Sequence, residues 1–236
     1  MLFADLTIMN NFNNISVVVC VYREDKFFYL KEQLLRFGCD DIVEMRQQTS
    51  IFEAYQEAWQ KAKYETLYFL HEDIQIEELD ETRINQFLDK DDTGFLGVAG
   101  TRYLDSSAIW WTGMNTEVQT ALLSGCCGHI NESKKWLSQY GAFGEVVVLD
   151  GVVLICKKST LEKIGGFLDD GFSGFDFYDL TVTFRARLAG LKNYTVPIHL
   201  YHWGMGTQRP EWEAARKFFI EKYASHLPHS ILELTT

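Results

Sequence analysis

Three short stretches hold side chains whose types and spacing could do chemistry. In His71-Glu72-Asp73 an imidazole and two carboxylates close the apolar run 66–70. Adjacent carboxylates resist burial without partners, and the carboxyl edge of a sheet is where hard cations and phosphates are met. The trio therefore reads either as a metal or phosphate site or as solvated residues ending a strand. The second stretch runs through Gly166-Phe167-Leu168-Asp169 and Gly171-Phe172-Ser173-Gly174-Phe175-Asp176-Phe177-Tyr178-Asp179. Glycines among aromatics suggest a loop that must approach something closely, and Asp179 opens the next helix. A carboxylate stabilised by the helix dipole is the competing reading. The third stretch, 197–207, sets His199 and His202 three apart, before Trp203 and a glycine-rich turn. One imidazole could enter a site there, or be a hydrogen-bonded structural residue.

Elements must hold these residues in place. The run 16–22 is β-branched, nearly unbroken and followed by Arg23, Glu24 and Asp25, as a central parallel strand would be. Phe27, Leu30, Leu34 and Leu35 recur at helical spacing over 26–37 before Gly38 ends the helix. A strand is expected over 41–45, a helix behind Ser50 carrying Phe52, Tyr55 and Trp59, and a buried strand over 66–70. Further on the pattern predicts a helix over 80–88, a strand over 94–100, and loops or a hairpin over 103–144. Then come a strand over 146–156, a short helix from Ser159 to Gly165-Gly166, a helix over 179–189, a last strand over 194–198 and an amphipathic helix over 212–223. Such alternation predicts an α/β fold with a mostly parallel central sheet flanked by helices and ligands at its carboxyl edge, here 22–25 and 71–73.

Composition narrows the partners. A chain of 236 residues with a formal net charge of −11 suits one substantial core and opposes wrapping nucleic acid or lying on an anionic membrane. No stretch approaches the roughly 20 apolar residues of a membrane span. The N-terminus lacks the basic and apolar blocks of a secretory signal, so a cytoplasmic location is expected, with the inner face of the membrane left open. Five cysteines without a CxxC pair read as reduced thiols.

Taken in order, the motifs resemble the GT-A glycosyltransferases of family 2, in a compact bacterial branch whose metal motif begins with His. The run 16–22 with Arg23-Glu24-Asp25 is similar to that family's first strand and donor loop, with Cys20 at the usual proline and Arg23 at the usual asparagine. Ser50-Ile51-Phe52-Glu53-Ala54-Tyr55-Gln56-Glu57-Ala58 resembles the helix before the metal motif, and Leu67-Tyr68-Phe69-Leu70-His71-Glu72-Asp73 the DxD-type strand itself. Leu149-Asp150-Gly151, the turn ending at Leu168, and Tyr178-Asp179-Leu180-Thr181-Val182 with Arg185 are similar to the later family segments. There Tyr178 stands for an acid and Thr181 for a second Asp. The stretch 43–48 lacks the "DdgS" that many members place around the nucleotide base.

The resemblance implies an inverting transfer of a sugar from a nucleotide-sugar donor, UDP-linked by preference, to a hydroxyl of a carbohydrate or glycoconjugate acceptor. Bacterial surface polysaccharide or glycoconjugate synthesis is the expected setting. It implies Asp73 and His202 as ligands of a divalent cation, Mn2+ or Mg2+, and Asp179 as catalytic base with Asp176 as the alternative. Val21, Tyr22, Arg23, Glu24, Ser50, Glu72 and Asp73 would contact the donor. Trp110 and Trp111 would form an acceptor platform, unless they pack in the core, and Asp150 would touch acceptor or donor hydroxyls. The chain would be a single domain over 1–236, with an acceptor-side insertion over about 105–145 and a helical tail over about 208–236. In that tail, Trp212, Phe218 and Phe219 serve helix packing or a homodimer surface. Two other readings stay open. A nucleotidyltransferase would need a glycine-rich phosphate loop, and 22–26 has no glycine. A degenerate, non-catalytic sugar or nucleotide binder would leave Asp73, Asp179 and His202 scattered.

Overall fold

Strands β1 (Ile15–Val21) and β3 (Thr66–His71) read as unbroken apolar runs because the sheet they share with β2 (Asp41–Arg46) is covered on both faces. The computed structural model describes residues 11–169, 171–204 and 209–232. Helix α1 (Glu24–Arg36) follows β1. Helix α2 (Ile51–Lys61) follows β2 and is capped by the Ser50 side chain, which accepts from the Glu53 amide. After β3 come β4 (Ile74–Leu79), α3 (Glu81–Leu88), β5 (Thr93–Gly97), β6 (Ala99–Thr101), β7 (Tyr103–Leu104), α4 (Gln119–Leu122), β8 (Leu123–Ile130) and β9 (Lys135–Gly141). The rest is β10 (Glu145–Val146), β11 (Val148–Leu149), β12 (Val153–Lys157), α5 (Lys158–Ile164), α6 (Tyr178–Leu188), β13 (Lys192–Thr195), β14 (Ile198–His202), α7 (Pro210–Lys222) and β15 (His229–Ser230).

A seven-stranded sheet runs β10-β13-β5-β12-β3-β1-β2. The pairs β1–β2, β1–β3 and β5–β13 are parallel. Strand β12 runs against both β3 and β5, and β10 against β13. Alternate residues point to opposite faces. Val17, Val19 and Val21 join a core with α1, α3, β4, β14 and α7, while Val18 and Cys20 join another with α2, α5 and much of α6. A second sheet runs β11-β6-β8-β14-β4, with β9 paired to β8 and β15 to β7 in a small third one.

Several single-strand expectations are divided by the structure. The run 146–156 is three strands, because the chain leaves the large sheet after Val146, joins the second at Val148 and turns at Asp150-Gly151 before re-entering as β12. Its residues 146–149 are all fully buried, so hydrophobicity hides the break. Likewise 94–100 is β5 and β6, and 194–198 covers the end of β13 and the start of β14. Strand β4, which follows His71 after a two-residue turn, was not expected. Within 103–144 the hairpin is β8–β9. Residues 205–208 of the glycine-rich turn and 233–236 of the tail lie outside the described residues. Among the described residues, no helix is long and apolar enough to cross a membrane.

Candidate active site

The two sheets meet where β3 ends. Antiparallel pairing of β14 with β4 sets His202 opposite Ile74, and the Trp203 amide donates to the Asp73 carbonyl at 3.0 Å. This brings His71, Asp73 and His202 together: His202 Nε2 lies 3.1 Å from Asp73 Oδ1 and 3.3 Å from His71 Nδ1. All three donor atoms fall within 4.8 Å of one another. Octahedral bonds of about 2.1 Å put neighbouring ligands about 3 Å apart, so two imidazoles and a carboxylate at these spacings fit one divalent cation. Burial alone would raise the Asp73 carboxyl, but the hydrogen bond and charge of His202, with Arg23 beyond, outweigh it and hold the group below its ordinary range. Burial, with His202 beside it, lowers His71 to about 4 and keeps its imidazole neutral.

Asp179 stands in the first turn of α6, entered through Phe177 at φ 65°, a backbone conformation costly for an aromatic residue. Its Oδ1 accepts from the Leu180 amide at 2.8 Å. Burial in the cleft and, second, the Asp150 carboxylate raise Asp179 to about 7. Asp150 lies in the turn between β11 and β12 and accepts from the Val152 amide at 3.1 Å. Burial raises it too, while that amide, the neighbouring histidines and a Trp110 hydrogen bond oppose the rise.

These groups face one open cavity of about 1020 Å3. It is lined by His71, Asp73, His202, Asp150, Asp179, Asp176, Arg23, Glu72, Trp110 and Trp111 among the residues singled out from the sequence. Asp176 is engaged by Arg209, with oxygens 3.0 and 3.2 Å from its guanidinium. Glu72 turns toward the end of β1, where it accepts from the Arg23 amide at 3.1 Å. Val21, Tyr22, Glu24 and Ser50 stand outside the lining. Val21 is core, Tyr22 is 86% exposed, Glu24 pairs with Arg46 and Ser50 caps α2. Trp110 both packs in the core at 5% exposure and forms cavity wall, edge-on to Trp111 and Tyr140. Trp111 lies against Trp212 of α7, with ring centres 5.8 Å apart.

Sequence reasoning missed part of this wall. His71 reads as a motif neighbour in the sequence but contributes a donor atom. On β9, Trp136, Ser138 and Tyr140 line the cavity through the alternation of a strand, opposite His129 and Cys127 of β8. That period-two signal is short and set among lysine, glutamine and glycine. His129 stacks on Trp136, and its buried Nδ1 has no hydrogen-bond partner among the described residues.

Residues 16–223 match a family model described as "Glycosyltransferase like family". No curated protein matches the sequence. The chain is similar in fold to GalNAc-T7, solved with UDP, GalNAc and Mn2+, at 10% identity and a TM-score of 0.55, over 89% of this chain and 48% of that one. The chain thus spans about half the length of that protein. It is also similar to the mannosyltransferase PcManGT from Pyrobaculum calidifontis, solved with GDP-Man and Mn2+, at 11% identity and a TM-score of 0.51, over 95% and 68% of the two chains.

Proposed function

This chain belongs to the glycosyltransferase-like family and has the GT-A fold, and we propose that it moves a sugar from a nucleoside-diphosphate sugar to an acceptor hydroxyl with inversion. The observation that carries this reading is the opening of the His71-Asp73-His202 cluster and the Asp179 carboxylate into one cavity. Two imidazole nitrogens beside one carboxylate suit Mn2+ better than Mg2+, which prefers oxygen donors and keeps its waters. A bound divalent cation would offset charge developing on the departing diphosphate. The two fold relatives hold UDP and GDP-Man respectively, and a UDP-sugar is the first donor to test here.

Asp179 takes the proton of the acceptor hydroxyl as that oxygen attacks the anomeric carbon from the face opposite the diphosphate. Its raised affinity for a proton makes it a stronger base than an ordinary carboxylate, and accepting the proton removes one of two like charges beside Asp150. Asp150 orients a hydroxyl of acceptor or donor sugar. Trp110, Trp111, Trp136 and Trp212 bring aromatic faces to the acceptor side, as a carbohydrate with apolar ring faces requires. On this reading the chain is one transferase unit. The segment 105–145 builds the acceptor wall, and the C-terminal helix closes it through Trp212. The setting proposed for its products is bacterial surface polysaccharide or glycoconjugate synthesis on the cytoplasmic side. Against decay into a mere binder stands Tyr178, whose departure from the family acid is matched by bonds to His71 and Gly151.

Calorimetry and thermal shift with UDP, GDP, CDP and dTDP, with Mn2+ or EDTA, test the donor half. One nucleotide should bind only with Mn2+, and Asp73→Ala should abolish that binding. A folded wild type that binds none of them overturns the proposal.

A further inference from the structure

Tyr178 is 5% exposed, and its ring stands edge-on to Tyr55 with centres 5.5 Å apart. Its hydroxyl has two partners, the Gly151 carbonyl and His71 Nε2, each at 2.9 Å. A carbonyl oxygen only accepts, so the phenol hydrogen goes to Gly151. The phenol oxygen is then left as an acceptor, and His71 Nε2 must carry the hydrogen that meets it. A neutral imidazole has one such hydrogen, so Nδ1 keeps a bare lone pair. Nδ1 is the nitrogen that faces His202 and Asp73. An imidazole that ligates a cation is the neutral form, so the hydrogen bonds alone decide which nitrogen keeps the hydrogen. The position of the hydroxyl is fixed from the other side as well. A Cβ on residue 151 would come within 2.3 Å of it, so glycine is what lets the turn carbonyl reach the phenol.

We propose that Tyr178 is a positioning residue that locks His71 in its Nε2–H tautomer and presents Nδ1 to the divalent cation. This rests on the reading of His71, Asp73 and His202 as cation ligands, and it gives a role to the residue that replaces the family's acid. The phenol accepts from Nε2 without adding a further negative charge beside Asp179, which Asp150 already faces.

Two measurements test it, and neither depends on turnover. Tyr178→Phe keeps the ring and removes the acceptor. Its Mn2+ dissociation constant, read by paramagnetic resonance titration, should rise on the order of 10- to 100-fold, with unfolding of the metal-free protein still cooperative. In 15N spectra of metal-free wild type, His71 should show a protonated Nε2 and a bare Nδ1. An Nδ1–H tautomer in wild type overturns the proposal whether or not the variant folds. An unchanged Mn2+ affinity in a folded Tyr178→Phe overturns the positioning role alone. A wild type that binds no Mn2+ removes the cation reading together with it.

Discussion

Asp179 carries opposing demands in a single side chain. Its burial and the Asp150 charge raise it to about 7, so near neutral pH a large share of molecules hold it protonated. Transfer needs the ionised form. The rate should therefore climb with pH through about 7 and level off above, a limb that a steady-state pH profile would show and that Asp179→Asn would lack. The same substitution should lower turnover by roughly 10²- to 10⁴-fold while Mn2+-dependent nucleotide binding persists. Loss of binding with turnover intact would remove the assignment. Stability carries the reverse sign. A carboxyl with a raised folded-state value favours the fold when protonated, and that contribution fades as pH rises through about 7. Well above that pH, Asp179→Asn should gain on the order of 1 kcal/mol, or roughly 2–4 °C in melting temperature. Its place at a helix start follows from spacing, while its role as base comes from the family resemblance. His71 was harder, because the side chain that orients it lies 107 positions away.

At the level of elements, helix α6 is held by Arg185, whose guanidinium donates to the carbonyls of Ile164, Gly166 and Leu168. These include the end of α5 and the Gly165-Gly166 turn, where both residues take positive φ. Arg185→Met keeps much of the apolar stem and leaves those carbonyls without a charged donor. It should cost roughly 2–3 kcal/mol in urea unfolding and loosen the segment that leads into Asp179. Helices α1, α2, α3, α5, α6 and α7 were readable from apolar spacing, helped by capping side chains at Ser50 before α2 and Asp80 before α3 and by glycines just past α1, α5 and α6. Strands were less so. Residues 146–149 are buried whichever sheet they join, so a change of sheet leaves no mark on hydrophobicity. Strand β4 ends in Glu77-Glu78-Leu79, whose acidic pair blurs its alternation. In β9 the cavity face carries the aromatics and the other face is largely exposed, a pattern that resembles a loop when one residue type is weighed at a time.

For the whole molecule, a net charge of −11 repels an anionic donor at long range. Arg23 and Arg209 at the cavity, with a bound cation, would offset part of that charge where the diphosphate is held. Donor and Mn2+ together should thus stabilise far more than either alone. At about 100 times the dissociation constant, bound ligand adds about 2.7 kcal/mol, or roughly 5–11 °C in thermal shift for a chain of this size. An additive, non-cooperative shift would count against a shared site. The cluster itself straddles the molecule: His71 ends a strand of the large sheet and His202 a strand of the second, 131 positions apart. A chain with only the large sheet formed would hold His71 and Asp73 without His202 and so lack one of the three donors. On the proposed reading, tight cation binding would thus report that the two sheets have docked.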